Sequence, residues 1–397
     1  MVGRVSTDDD LSAALGLLTT LLDGAHRGRP DELAGVVAQA GLTMGWTLDV
    51  HVITFDQRRL VPLTSEGDEL ELDTPAGAAF RTMRPVHDGD TTWVPLIDGV
   101  ERLGALRAVA LTPDRRPSAH PEALRWASLL IGHLVAVVTP YGDSLTRVRG
   151  GATRTVEAEL LWNLLPPLTY ATNDLVISGL LEPSERVAGD AFDYALNGTC
   201  ADVALFDGTG HDLTSGLLTS VALATYRNQR RRGADLVGCA REIDRVLVEQ
   251  TDSAGYATGV LARLDTATGV LDYVNAGHPH PLLVRDGKVR EALDHSGRPL
   301  FGMGGREATA GRFQLAPGDR VVLYTDGITE ARDSVGAFFG RERLVALLEE
   351  HGGTPAPETL RLVVRDVLAH QLGVLQDDAT LLMLEWSPGG GLDLLPV

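Results

Sequence analysis

"VVLYTDGITEARD", residues Val321 to Asp333, begins as the kind of apolar run that fills a buried strand and stops at Asp326 and Gly327. β-Branched and aromatic residues favour a strand, and Asp-Gly is a common turn dipeptide. A carboxylate placed where the apolar side chains end therefore has two readings, a turn residue or a group presented for chemistry. The rest of the chain decides between them.

The same placement recurs. Asp190 sits in "VAGDAFD", Asp207 ends "VALFDG", and Asp377 with Asp378 begins the run "QDDATLLML". Gly189, Gly208 and Gly327 adjoin three of these acids, and glycine lets backbone and ligand approach closely. Carboxylates that converge in a domain interior repel one another and lose hydration, a cost that a divalent cation offsets. An all-oxygen donor set without His or Cys favours magnesium or manganese over zinc. Two such ions sharing one carboxylate lower the pKa of a water and orient it for in-line attack on phosphorus. The chemistry expected from these residues is metal-assisted hydrolysis of a phosphate ester.

Composition narrows the partners. The 397 residues suggest two domains or one large domain with an appendage. With 35 Lys plus Arg against 54 Asp plus Glu, the formal net charge is -19, which argues against nucleic acid and anionic lipid as partners. Two cysteines, Cys200 and Cys239, form neither a zinc set nor a disulfide framework. The start of the chain is acidic, unlike a secretory signal. The most apolar helical stretch, Ala123 to Thr139, carries Arg125 and His133 and falls short of the roughly 20 residues of a membrane span. The expectation is a cytoplasmic protein with no membrane partner.

The chain divides by pattern. Leu11 to Leu22 and Glu32 to Met44 read as helices, and "WTLDVHVITFDQRRLVPL" puts Leu48, Val50 and Val52 on one strand face. "WVPLIDGVERLGALRAVAL" reads as a hairpin turning at Asp98 and Gly99, followed by a long apolar helix. This α+β plan resembles a GAF domain, a module that senses small molecules or signals, and the likeness rests on "AFRTMRPV" followed by the hairpin. "YGDSLTRVRGGATRT", residues 141–155, is basic and glycine-containing and reads as the linker. The apolar residues of Ala123 to Leu165 could relay a conformational signal, pack on their own domains, or form a homodimer face. From Asp174 to Trp386, successive short strands, an amphipathic helix from His211 to Arg231, two hairpins, and helices at 341–350 and 357–370 precede a last strand "DATLLMLEW". Antiparallel strands with helices outside suggest an α+β sandwich.

The ordered motifs "LLWNLLPPL", "LEPSERVAGDAFDYAL", "ALFDGTGHDLTSGLLTSVALATYR", "VNAGHPHPLLVRDGKV", "LAPGDRVVLYTDGITEARD", "FFGRERLVALL" and "QDDATLLMLEW" resemble the PPM-type metal-dependent Ser/Thr protein phosphatases. The likeness is to their bacterial branch, the stage II sporulation protein E type, over about residues 155–386. It implies an α/β-β/α sandwich of antiparallel sheets flanked by helices, spanning 156–388, after a regulatory domain at 1–140, with 389–397 as a tail. It further implies two Mn2+ or Mg2+ ions. Asp190 would bridge them, Asp207 and the Gly208 carbonyl would hold one, and Asp326 with Asp377 the other. Asp378 ranks below Asp377, because relatives carry Asn or a second Asp there. The implied substrate is a phosphorylated anti-anti-sigma protein of the STAS fold in a partner-switching pathway.

This sequence departs from the family pattern at Ala188, Thr209 and Asp212. Asp212 reads either as added charge near the ions or as a helix N-cap. His211 has the right acidity to protonate a leaving group but lies at the start of the helix, away from the position after Asp207-Gly208. His278 and His280 read as a structural turn, and Glu330 as the end of the helix after Asp326. Two other readings stay open: a signalling scaffold without catalysis, and a hydrolase of small phosphate esters.

Overall fold

In the computed structural model, residues 8–64, 67–150, 155–182, 189–210, 213–251, 255–290, 293–294, 297–305, 307–373 and 375–390 are described. They fall into two compact units that divide between Thr153 and Arg154.

The first unit opens with α1 (Asp8–Arg27) and α2 (Leu33–Met44), then β1 (Trp46–Ile53), β2 (Arg59–Pro62) and β3 (Leu70–Glu71). It continues with α3 (Pro75–Thr82), β4 (Val86–Asp88), β5 (Thr91–Asp98), β6 (Glu101–Ala110), α4 (Pro121–Val138) and α5 (Ser144–Val148). The strands form one antiparallel sheet in the order β3-β2-β1-β6-β5-β4. Alternation along β1 divides its side chains between the faces. Trp46, Leu48, Val50 and Val52 enter the core with α1, α2 and α4, and Ile53 joins Ala76, Ala79 and Phe80 of α3.

Two expectations change here. The linker expected over 141–155 begins as packed structure: α5 buries Leu145 in the core, and Arg149 bonds the Ile53 carbonyl through Nε and receives the Phe55 N–H at its own carbonyl. The helix expected to fall short of a membrane span is longer, because a 3-10 turn at Thr139–Tyr141 prolongs α4. Pro121–Tyr141 has the length and composition to span, yet Leu124, Ala127, Ile131 and Leu134 are buried in the core.

The second unit contains α6 (Val156–Trp162), β7 (Thr169–Ala171), β8 (Leu175–Glu182), β9 (Asp190–Asn197), β10 (Cys200–Gly208), α7 (Leu213–Arg231) and α8 (Leu236–Thr251). There follow β11 (Ala257–Asp265), β12 (Val270–Ala276), β13 (Leu282–Arg285), β14 (Lys288–Arg290), β15 (Gly311–Gln314) and β16 (Asp319–Tyr324). It closes with α9 (Asp326–Thr329), α10 (Arg341–Glu350), α11 (Ala356–His370) and β17 (Ala379–Trp386). Two antiparallel sheets result, β15-β12-β11-β10-β9 and β14-β13-β16-β17-β8-β7.

The sheets pack face to face. Phe192, Val203, Leu205 and Val260 of one meet Ile177, Leu323, Leu382 and Leu384 of the other. On the outer face of the five-stranded sheet, Phe206 and Leu261 are covered by Leu218, Leu223 and Tyr226 of α7 and Ile243 and Leu247 of α8. α11 lies against β8 and β17. All eight residues of β8 are buried, because helix and partner sheet cover both its faces; its sequence therefore reads as a mostly apolar run, interrupted only by Ser178, Gly179 and Glu182, instead of a regular alternation. Gly179 in β8 leaves room for the Phe192 ring, which a Cβ would approach to 2.4 Å.

Candidate metal centre

Two strand ends of one sheet supply the first pair of acids. In the β9–β10 ladder Asp207 is directly opposite Asp190, so the two side chains leave the sheet on the same face. The other sheet supplies the rest at the same end of the sandwich. β16 ends at Tyr324, opposite Leu381 of β17; Asp326 follows as the first residue of α9, and Asp377 and Asp378 lead into β17.

Hydrogen bonds join the two sheets at this edge. Asp190 Oδ2 accepts from the hydroxyls of Thr325 (2.7 Å) and Thr380 (2.6 Å). Asp378 Oδ2 accepts from Gly189 N at 2.8 Å and Asp190 N at 3.4 Å. The Asp378 N–H donates to Asp377 Oδ1 at 2.9 Å. The Thr325 oxygen in turn accepts the Thr380 N–H at 3.1 Å.

Glycines permit these approaches. A Cβ on Gly327 would lie 1.9 Å from the Asp378 carbonyl oxygen. A Cβ on Gly208 would lie 2.4 Å from Thr219 Oγ1. The Gly208 carbonyl accepts the Ser215 hydroxyl at 2.6 Å, and the Gly189 carbonyl accepts that of Thr219 at 2.5 Å. A carbonyl has two lone pairs, so the Gly208 oxygen keeps one for a ligand.

The electrostatics are those of anions crowded together. Burial pushes the Asp190 carboxyl well above its usual range, and the charges of Asp207 and Asp378 add to this; the Thr380 and Thr325 hydroxyls oppose it. Asp207 is pushed up to about 8, by burial first and then by Asp326, Asp377 and Asp378. Burial also raises Asp326, against the pull of backbone N–H groups. All five acids singled out in the sequence thus come together. Among the described residues no three of them close into a coordination sphere, and three of their oxygens, Asp190 Oδ2, Asp378 Oδ2 and Asp377 Oδ1, are instead held by the hydroxyl and amide donors above.

The donor set nonetheless fits hard divalent cations. It is all oxygen, it is partly buried, and neighbouring carboxylates raise Asp190 and Asp207, which a cation reverses.

Other residues find different places. His278 is buried, its Nδ1 lies 2.6 Å from Thr258 Oγ1, and its backbone exchanges hydrogen bonds with the Asn275 side chain; burial lowers its pKa to about 4. Thr209 gives its hydroxyl to the Tyr256 carbonyl. Glu330 terminates α9, its N–H donating to the Asp326 carbonyl. Ala188, His211 and Asp212 lie outside the described residues.

Sequence reasoning missed Thr325 and Thr380. Their signal was a hydroxyl in an otherwise apolar run, in "LYTDG" and "DDATLLML". It also missed a buried clamp behind the site. Asp193 takes Arg227 through Nε (3.1 Å) and Nη2 (2.7 Å) and Arg230 at 2.6 Å, and Arg227 Nη2 reaches the Leu164 carbonyl.

Two antiparallel sheets between helices, with acids converging at one edge, are the arrangement that the likeness to the PPM-type phosphatases implies. The family model of stage II sporulation protein E (SpoIIE) matches residues 197–387, in the C-terminal half of the chain. The chain is 25% identical over 272 residues to protein IcfG of Synechocystis sp., covering 60% of this chain and 42% of that protein. To phosphoserine phosphatase RsbP of Bacillus subtilis it is 29% identical over 206 residues, covering 50% of this chain and 49% of that protein. The chain therefore spans about half the length of these relatives. Among solved structures, the SiaA-PP2C domain of Pseudomonas aeruginosa is 24% identical, with a TM-score of 0.48 over 53% of this chain and 86% of that one.

Proposed function

We propose that the chain is a metal-dependent protein phosphatase that hydrolyses phosphoserine or phosphothreonine on a STAS-type anti-anti-sigma protein. The observation that carries this reading is the pairing of Asp190 with Asp207 across one ladder while Asp326, Asp377 and Asp378 face them from the other sheet. Buried acids in such proximity call for cations. Asp190, Asp207, the Gly208 carbonyl, Asp326 and Asp377 would hold two Mn2+ or Mg2+ ions, with Asp378 as a further donor. When bound, such ions supply Lewis acidity and a water acidic enough to act as nucleophile at neutral pH.

The protein's own residues do the positioning. Thr325 and Thr380 fix Asp190 Oδ2 and with it the orientation of the carboxylate. Ser215 orients the Gly208 carbonyl. Asp378, bonded to Gly189 N, ties the two sheets together, so that acids from both keep their spacing. The negative edge repels a phosphate ester until cations reverse its sign.

The first unit fits a sensor of the GAF type. Asp49, His51, Trp93 and Arg107 of its sheet line a cavity of about 360 Å³. A cytoplasmic protein regulated through the segment 123–165, as a homodimer joined there, completes the proposal.

The test is phosphate release, with Mn2+, from a serine-phosphorylated STAS-domain protein and from p-nitrophenyl phosphate, comparing wild type with Asp190→Asn and Asp326→Asn. Metal-dependent turnover lost in both variants is expected. No turnover on either substrate, together with no metal binding by calorimetry, would favour a scaffold without catalysis.

A further inference from the structure

Immediately after α9 the chain builds a loop, residues 331–340, whose ends are fixed and whose tip is apolar. Phe339 N donates to the Ala331 carbonyl at 2.7 Å and Gly340 N to that of Thr329 at 2.9 Å. Within it, Asp333 Oδ1 accepts the N–H groups of Val335 (2.9 Å) and Ala337 (2.8 Å). The segment that leads to Asp377 braces its flank: His370 Nε2 lies 3.0 Å from the Ala337 carbonyl, and Gln376 Nε2 donates to the Arg332 carbonyl at 3.4 Å. The loop is thus tied to α9, which starts at Asp326, and to the residue before Asp377.

What it presents to solvent is unusual for so ordered a loop. Val335 is 86% exposed, Phe338 50%, and Leu372 on the bracing segment 78%. The Arg332 guanidinium lies 4.3 Å from the Phe338 ring centroid. Single exposed apolar residues are ordinary. Here three surround a backbone held by its own hydrogen bonds, so little ordering entropy is lost when a partner covers them. Aromatic and Arg side chains are also the types that dominate interface energies.

We propose that this loop, with Leu372, is the docking element for a folded phosphoprotein substrate. Val335 and Phe338 cover apolar residues beside the phosphoserine, and Arg332 meets an acidic group there. The inference rests on the phosphatase reading above. Continuity with the carboxylate edge selects this occupant, because the loop is tied both to α9, which starts at Asp326, and to Gln376, which precedes Asp377. Charge agrees: in a chain of net charge -19, a cation on this rim favours an acidic phosphoprotein that the remainder repels.

The experiment separates docking from chemistry. In an Asp326→Asn background, a serine-phosphorylated STAS-domain protein is titrated by calorimetry onto the full chain with and without Val335→Ser/Phe338→Ser, and separately Arg332→Ala. The expected result is a Kd raised about tenfold or more by the double change and several-fold by Arg332→Ala. In the otherwise wild-type chain, the same changes should raise KM for the phosphoprotein and leave Mn2+-dependent turnover of p-nitrophenyl phosphate within about twofold, since small substrates do not use the loop. An unchanged Kd in the loop variants, or no binding to the parent, overturns the docking element. Loop-dependent binding by a protein that hydrolyses neither substrate keeps the docking element and removes the phosphatase reading.

Discussion

Asp190 and Thr380 lie 190 residues apart in the chain and in different sheets, yet the threonine hydroxyl donates to the Asp190 carboxylate at 2.6 Å. With Thr325 it sets the orientation of the acid proposed to bridge two cations. Thr380→Val and Thr325→Val should each lower Mn2+ affinity about 10–100-fold, the usual range for a residue that orients a metal ligand. Metal titration followed by calorimetry measures this. Thr380→Ser should restore most of the affinity.

Gly327 tests the closeness of the Asp378 carbonyl. Gly327→Ala puts a methyl where only 1.9 Å is available, so α9 or the 377–378 segment must shift. We expect a loss of about 2–4 kcal/mol in urea unfolding, as for other overpacked buried positions, with reduced metal affinity.

Stability against pH follows from the raised acids. Asp207 titrates at about 8 in the fold and at about 4 unfolded. The native state therefore holds the extra proton across that window, and metal-free protein should lose stability as pH rises from about 4 to 8. Mn2+ should remove or invert the slope. Asp207→Asn should flatten it in metal-free protein and raise Tm at pH 8, at about 2–4 °C per kcal/mol. Thermal melts across pH, with and without chelator, measure both.

Asp193 carries two arginines in a nearly dry place: its side chain is 2% exposed, that of Arg230 8% and that of Arg227 22%. Asp193→Ala leaves two cations without their shared anion and should cost about 3–5 kcal/mol. Arg227→Ala should cost less, because Arg230 still satisfies the acid, and should free the Leu164 carbonyl. Hydrogen exchange at residues 160–165 reports the second effect.

The sequence made the carboxylates legible because each interrupts an apolar strand at its end, a pattern visible without any fold. It concealed the hydroxyls of Thr325 and Thr380, since one Thr in a strand is also an ordinary β-former. α8 escaped notice although Leu236, Cys239, Ala240, Ile243 and Leu247, all buried, keep the helical period; its charged outer face, with Arg241, Glu242 and Arg245, diluted the signal. The buried ion pairs of Asp193 could not be read, because they depend on which turns of α7 face β9, a matter of tertiary packing. Within the expected linker, Leu145 and Val148 lie too close together in a basic stretch to show a helical period, yet both pack on the core.

β17 lies between β16 and β8, in the middle of its sheet, and brings Asp377, Asp378 and Thr380 with it. The acids from residues 190 and 207 are synthesised long before this strand. On a ribosome they wait as unpaired neighbours until roughly the last strand has emerged and inserted between two strands already made. A chain released before Asp377 would lack the central strand, two of the five acids and the Thr380 hydroxyl, so the site can mature only on a polypeptide translated through it.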